Sequence, residues 1–129
     1  MSYQAYQTAS SRTEDPRLTE YRLFGQVTRA LIDAQHEGSA QALSKRADAL
    51  DWNRRMWTAF AADCASEGNN LPDSLRAAII SLSIFVSKQT SEAMRGKGDF
   101  DTLIEINRTI MQGLQPPAAS AEPRRAAAG

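Results

Sequence analysis

The chain has 129 residues, 42% of them apolar, which suits one domain with one hydrophobic core. Its 15 basic and 15 acidic residues cancel, and this balance argues against direct nucleic-acid binding, because phosphate contacts normally require a basic excess. The most apolar stretch, Leu75 to Val86, is too short and too polar to span a bilayer, and the first residues lack the pattern of a secretory signal. We therefore expect a cytoplasmic protein that does not insert into membranes.

Apolar residues recur at helical spacing along the chain and strand-like alternation is nearly absent, so we predict an all-α fold. The first long helix is expected from Pro16 to Glu37, with Pro16 in its first turn. It has one wide apolar face and a second apolar side that includes Tyr21 and Ile32. A helix that is apolar on two sides is normally packed on two sides. The segment from Tyr3 to Thr8, which could be a short additional N-terminal helix, is a candidate to cover the second side.

The next segment, Ser39 to Ser66, is either one bent helix or two helices. Its apolar stripe consists of Leu43, Ala47, Leu50, Trp57, Ala61 and Cys64. Arg54 interrupts this stripe, and Asp51 could cap a second helix. We favour one long helix that ends at the turn around Gly68, with Trp52 projecting away from the stripe.

A third helix is expected to open at Leu71-Pro72-Asp73, since Pro72 suits a first turn and Asp73 complements the helix dipole. One of its faces carries Leu75, Ala78, Ile79, Leu82, Phe85, Val86 and Ala93. The opposite face carries Ala77, Ile80 and Ile84 among serines. This helix is therefore also apolar on two sides.

The fourth helix is predicted from about Phe100 to Gln112, with Asp99 as its cap and Gly113 as its stop. Asn107 lies in the middle of its apolar stripe, where a buried amide must be hydrogen-bonded and can fix helix register. Residues 115–129 are rich in Pro and Ala and have no large apolar side chain, so we expect a disordered tail. The predicted fold is a compact bundle of about four helices over residues 1–114, followed by this tail.

Few side chains in the sequence could support catalysis, because it contains one histidine and one cysteine. His36 lies at the expected end of the first helix, and a di-metal site in a helical bundle would need a second histidine. Cys64 lies on an apolar stripe, as a structural buried cysteine would. No glycine-rich phosphate loop follows a strand. We expect neither an enzyme nor a bound cofactor or metal.

The remaining candidates for function are apolar surfaces. Ala77, Ile80 and Ile84 could line a groove that holds an amphipathic helix of a partner protein, because small serines around them would let that helix approach closely. Trp52, on the second helix, and Tyr21 with Ile32, on the first, are further candidates for partner binding. The alternative is that all these residues belong to the core of a compact bundle.

Several short segments, in this order and spacing, resemble the FlaF family of flagellar biosynthesis regulators. The segments are Ala5-Tyr6-Gln7, Glu20 to Leu31, Asn53-Arg54 with Trp57, Asn70-Leu71-Pro72 with Leu75-Arg76, and Leu103 to Arg108 with Met111 and Gly113-Leu114. The resemblance extends over residues 1–114.

The resemblance implies a role in flagellum assembly, promoting the synthesis and secretion of flagellin. It implies binding of the amphipathic helical termini of flagellin, as an export chaperone would, and FlbT, a repressor of flagellin synthesis, as a second candidate partner. Two alternatives remain open at this point: a regulator of flagellin mRNA translation that acts through FlbT, and a scaffold protein that does not contact flagellin. No catalytic residues follow from the resemblance.

Overall fold

Four helices follow one another in the part of the chain that the computed structural model describes, residues 16–115. They are α1 (Pro16–Gln35), α2 (Ala42–Ala65), α3 (Asp73–Met94) and α4 (Phe100–Leu114). No strand occurs within residues 16–115, and the prediction of an all-α bundle of about four helices is confirmed. The predicted segment from Tyr3 to Thr8 and nearly all of the predicted tail lie outside the described residues.

The helices are antiparallel and form a closed ring in chain order. At one end of the bundle, Arg76 near the start of α3 donates from Nε to the carbonyl oxygen of Cys64 near the end of α2, at 2.9 Å. At the other end, Gln35 at the end of α1 donates to the carboxylate of Asp101 at the start of α4, at 2.8 Å. Short loops favour this arrangement, since they bring consecutive helices side by side. The contact between α2 and α3 is the most extensive in the ring, and that between α3 and α4 is the least.

The core is built around aromatic side chains from α1 and α2. The ring of Phe24 lies edge-on to the rings of Trp57 and Phe60, with centroid distances of 5.5 and 5.2 Å. Such contacts contribute about 0.5–1.5 kcal/mol each beyond the burial of area. The largest apolar side chains around them that are fully buried are Leu31, Leu50, Ile79, Leu103 and Leu114.

A buried polar cluster at the centre of the bundle joins three helices. The indole N–H of Trp57 donates to Oδ1 of Asn107 at 2.8 Å. Nδ2 of Asn107 donates to Oγ1 of Thr28 at 3.1 Å and to Oδ1 of Asn53 at 2.9 Å. All four side chains are buried, so α1, α2 and α4 can meet in one register without leaving Asn107 unpaired. Asn107 is therefore buried and hydrogen-bonded, as expected.

The hydrogen-bond directions in this cluster are fixed by Trp57, because an indole N–H can only donate. It requires the oxygen of Asn107 to face it, so the amide nitrogen of Asn107 faces Asn53 and Thr28. Asn53 must then present its oxygen, and its own Nδ2 has no hydrogen-bond partner within the described residues. An unpaired buried amide nitrogen costs about 1–3 kcal/mol, so the cluster specifies register at the expense of some stability.

The structure corrects three helix boundaries. α1 ends at Gln35 rather than at Glu37. α2 is one helix, as favoured, but it begins at Ala42 rather than at Ser39. α4 begins after Asp99, as predicted, and the Asp99 side chain accepts from the amide N–H of Thr102 at 2.8 Å. Its end differs from the prediction, because α4 continues through Gly113 to Leu114 instead of ending at Gln112. Gly113 does not stop α4, because the next residue, Leu114, is fully buried and holds the last turn against the core.

Two predicted core stripes are also corrected. Leu43 is 80% exposed, and Ala47 is exposed as well, because the first buried residue of α2 is Ala49 and the helix start lies beyond the core. On α3, Phe85 is 42% exposed. The core contacts of α3 run along a narrow strip that includes Val86, and Phe85 lies about 100° from Val86 around the helix. Ala78, at the same edge of α3, is exposed too.

Candidate partner-binding surface

The outer side of α3 carries a stripe of exposed residues with alternating spacings of three and four. The stripe, hereafter the α3 seam, consists of Ala77, Ile80, Ile84, Ser87, Ser91 and Met94. The side chains of Ile84, Met94 and Ile80 are 73%, 41% and 37% exposed. Alternating spacings of three and four keep residues on one side of a helix, and they are the pattern by which one helix packs along another.

A shallow groove of about 460 Å³ runs beside the seam, between α2 and α3. Thr58 and Ala61 form its α2 wall, and the α3 wall is mostly serine. These small side chains leave space for the backbone of another helix to come close. The hydroxyl of Ser83 donates to the carbonyl oxygen of Ile80 at 2.7 Å, so this serine needs no external partner. Lys88 is the charged residue among the described residues that line the groove.

The structure brings together three of the six residues predicted for partner binding. Ala77, Ile80 and Ile84 are all exposed and share the α3 seam. Tyr21 and Ile32 are instead partly buried against the core. Their side of α1 faces α4, as shown by the Met111 methyl group, which lies 3.6 Å from the place where a Cβ on Gly25 would be. Exposed apolar surface therefore concentrates on α3, and little of it remains on α1.

Trp52, the sixth predicted residue, lies apart from the seam. Its side chain is 41% exposed and borders a separate groove of about 300 Å³ between α1 and α2. The charged residues along this groove are Asp33, Glu37, Lys45 and Asp48. The acidic excess distinguishes this groove from the α3 seam.

Some exposed residues were missed by the sequence prediction. Met94 extends the seam by continuing the spacing of three and four from Ile84 through Ser87 and Ser91, and that spacing is visible in the sequence. The exposure of Phe85 and Leu43 has no comparable signal, because both lie at helical spacing from core residues. Their exposure depends on where neighbouring helices lie.

The end of the bundle where α1 begins and α2 ends has a cavity of about 440 Å³. Phe60 and Leu71 provide apolar lining, and Glu20 and Asp63 provide carboxylates. Burial, and secondly the nearby charge of Asp63, raise the pKa of Glu20 above its ordinary value. The same carboxylate of Asp63 is held by Nδ2 of Asn69 at 2.9 Å.

The two residues that sequence analysis considered for chemistry lie where they were predicted. Cys64 is fully buried, and burial raises the pKa of its thiol, which is opposite to what an activated nucleophile requires. His36 is exposed just after the end of α1. Within residues 16–115, no group of three or more His, Cys, Asp or Glu side chains is placed to hold a metal ion. None of the four helices is long and apolar enough to cross a membrane.

The described fold and surface define the class of this protein as an antiparallel four-helix bundle with an exposed apolar seam on its third helix. The sequence model of the family described as flagellar protein FlaF matches residues 2–114. The chain belongs to the FlaF family of flagellar proteins, and the predicted resemblance is confirmed. No curated protein and no solved structure shows significant similarity to it.

Proposed function

We propose that this FlaF-family protein promotes flagellin synthesis and secretion by binding flagellin as an export chaperone. The observation that supports the proposal most directly is the position of the exposed apolar side chains. Within residues 16–115, four of the six large apolar side chains that remain exposed belong to α3, and three of these, Ile80, Ile84 and Met94, lie together on the seam. Contiguous exposed apolar surface on a small protein usually marks a place where another protein binds.

The expected mode of binding is a helix lying along the α3 seam. Family resemblance implies that the partner surface is an amphipathic helical terminus of flagellin, and such a helix presents apolar residues at spacings of three and four. Ile84 would lose the largest exposed fraction on binding, because it is the most exposed side chain among the large apolar residues of the seam. Burial of apolar area contributes about 25 cal/mol per Å², so a helix covering the seam would gain affinity along its whole length.

We place the protein in the cytoplasm. We expect it neither to catalyse a reaction nor to bind a cofactor, and neither to insert into a membrane nor to bind nucleic acid directly. Its balance of 15 basic and 15 acidic residues supports the last point. FlbT is a second candidate partner, and the α1–α2 groove beside Trp52 is a surface that is separate from the seam. Binding of FlbT there would leave the seam available for flagellin.

The test compares two aspartate substitutions at exposed apolar positions. Ile84→Asp places a charge on the seam, whereas Leu43→Asp places the same charge on the start of α2, away from the seam. Both side chains are more than 70% exposed in the free protein, so both variants should fold with unchanged circular dichroism. In calorimetric titration with purified flagellin, Ile84→Asp should weaken binding by about tenfold or more, and Leu43→Asp should bind like the unmodified protein.

Two results would contradict the proposal. If neither flagellin nor its isolated terminal segments bind the unmodified protein, the chaperone function is wrong. If FlbT is recovered with the protein from motile cells while flagellin is absent, a scaffold role is favoured instead.

A further inference from the structure

The α3 seam is complementary to itself when one of two copies is reversed. We propose that, in the absence of another partner, two copies of this protein pair through their α3 seams in an antiparallel arrangement. This inference does not depend on the identity of the flagellar partner, because it follows from the order of large and small residues along the seam.

The antiparallel pairing is supported by the order of large and small side chains along the α3 seam. Consider the α3 of a second copy that runs antiparallel to the first, with the centre of the contact between Phe85 and Val86. Every seam residue of one copy then lies opposite a seam residue of the other. Ala77 then faces Met94 of the second copy, Ile80 faces Ser91, and Ile84 faces Ser87. Each pair combines a large side chain with a small one, which is how facing residues fill space without voids or overlap. A parallel arrangement in register would instead place Ile80 on Ile80 and Ser87 on Ser87.

The charged residues beside the seam do not oppose this pairing. In the antiparallel arrangement Lys88 lies at the level of Ser83 of the second copy, so the two Lys88 side chains are kept apart. Arg95 lies at the level of Arg76, and both guanidinium groups already have partners in their own chain. Nη2 of Arg95 is 2.8 Å from the Glu92 carboxylate, and Nε of Arg76 donates to the Cys64 carbonyl at 2.9 Å.

The length and shape of the surface around the α3 seam also allow α3 of a second copy to pack against it. A helix of 22 residues such as α3 is about 33 Å long, and the seam follows it from Ala77 to Met94. Thr58 and Ala61 on the neighbouring wall of α2 are small enough to let the second helix lie against the groove. A two-fold contact of this kind closes after two copies, so it covers the exposed isoleucines without open-ended association.

The first test is the solution mass of the full chain. Sedimentation should show a species of twice the 14.2 kDa monomer mass that dissociates on dilution. Ile84→Asp should weaken this self-association about tenfold or more, and Leu43→Asp should leave it unchanged. A monomer at all concentrations up to the solubility limit would overturn the proposal. Flagellin binding is measured separately, so either inference can fail alone.

The second test uses size compensation between facing positions. Ile84→Ser alone leaves small side chains opposite each other, and Ser87→Ile alone puts isoleucine opposite isoleucine, so each should weaken pairing about tenfold. The double variant restores one large and one small residue in each pair, and its self-association should recover. Failure of the double variant to recover would contradict the proposed pairing.

The third test determines direction and register by cysteine cross-linking. A mixture of the single variants Ile80→Cys and Ser91→Cys should form a covalent dimer under mild oxidation, because these positions face each other. Neither variant should cross-link by itself, since each lies far from its own equivalent. The native Cys64 is buried and serves as the background control in the unmodified protein. Cross-linking of Ile80→Cys alone would show a parallel arrangement and would overturn the proposal.

Discussion

At the scale of single residues, Asn107 shows how a polar side chain can organise an apolar core. It accepts one hydrogen bond, from Trp57, and donates two, to Thr28 and Asn53. Each such bond contributes only about 1 kcal/mol net to stability, but a buried group that loses its partner costs about 1–3 kcal/mol. The loss of Asn107 would therefore cost more than the bonds themselves suggest.

The first prediction concerns Asn107→Leu, which has a side chain of similar size and no polar atoms. It leaves the indole N–H of Trp57 and the amide oxygen of Asn53 buried without a partner, so we expect a loss of about 2–4 kcal/mol in the free energy of unfolding. The control on the same helix is Thr109→Ala, because Thr109 is exposed and donates only to the carbonyl of Glu105 at 2.9 Å. Urea denaturation should show the control within about 0.5 kcal/mol of the unmodified protein. Equal losses in both variants would contradict the assigned role.

Glu20, unlike Asn107, is a side chain whose burial lowers the stability of the folded state when it is charged. Its pKa is raised from an ordinary value of 4.5, mainly by burial and secondly by Asp63. Between the unfolded and folded pKa values the folded state retains a proton that the unfolded state has lost. Stability contributed by this group therefore falls as pH rises through that range, and the penalty is complete once the pH exceeds the folded pKa.

The second prediction follows from this sign. Glu20→Gln removes the penalty, so its thermal unfolding midpoint should exceed that of the unmodified protein at about pH 7. The difference should shrink at about pH 4, below the unfolded pKa. Glu67→Gln, at an exposed position in the same cavity lining, is the matched control and should have little effect at either pH. A stabilisation by Glu20→Gln that is unchanged at acidic pH would show that the cause is not the charge.

At the scale of elements, the turn between α3 and α4 is set by local hydrogen bonds and by close packing. The amide of Gly96 donates to the carbonyl of Ala93 at 3.0 Å, and that of Lys97 donates to Glu92 at 2.8 Å. With a φ of 79° at Gly96, this is the Schellman arrangement that ends many helices. Gly98 then packs directly onto the last turns of α3.

The third prediction is that Gly98→Ala destabilises the protein by about 1–3 kcal/mol, because the chain has no space for the added methyl group. A Cβ at this position would lie 2.9 Å from the backbone nitrogen of Ala93 and 3.2 Å from the carbonyl oxygen of Gln89. Backbone atoms within a helix cannot easily move aside. Gly38→Ala is the matched control, since a Cβ there meets nothing within 4 Å, and it should be neutral or stabilising by up to about 1 kcal/mol. Chemical denaturation of both variants provides the comparison.

At the scale of the whole molecule, α4 closes the ring by packing against α1, and its last residue completes the core. Leu114 is fully buried, and the core therefore extends to the end of α4. The boundary of the folded unit should accordingly fall just after Leu114.

The fourth prediction tests this boundary with two truncations. A chain that ends at Gln115 should unfold with a free energy within about 0.5 kcal/mol of the full chain. A chain that ends at Met111 lacks Leu114 and the last turn of α4, and it should lose about 2–5 kcal/mol, as expected for removal of a large core side chain. Thermal and urea unfolding of both chains would measure the difference. Equal stability of the two truncated chains would place the boundary elsewhere.

Sequence alone determined the local features of this protein. Periodicity of 3.6 residues predicted the helices, the capping role of Asp99 was visible from its position before an apolar run, and Asn107 was recognisable as a polar residue inside an apolar stripe. The order and spacing of short segments also indicated the FlaF family. These features depend on residues close in the chain, so local spacing is enough to reveal them.

The tertiary structure decided which neighbours cover each apolar face. Local spacing placed Leu43 and Phe85 with the core, but none of the four described helices covers them. It marked both sides of α1 and α3 as apolar. Within residues 16–115, α4 covers the second side of α1, while that of α3 is exposed as the seam. The partners of Asn107 come from two other helices, and their distance in sequence hides them from any local pattern. The sequence shows that a helix has two apolar faces, but only the packing of the neighbouring helices determines which face is buried and which is exposed.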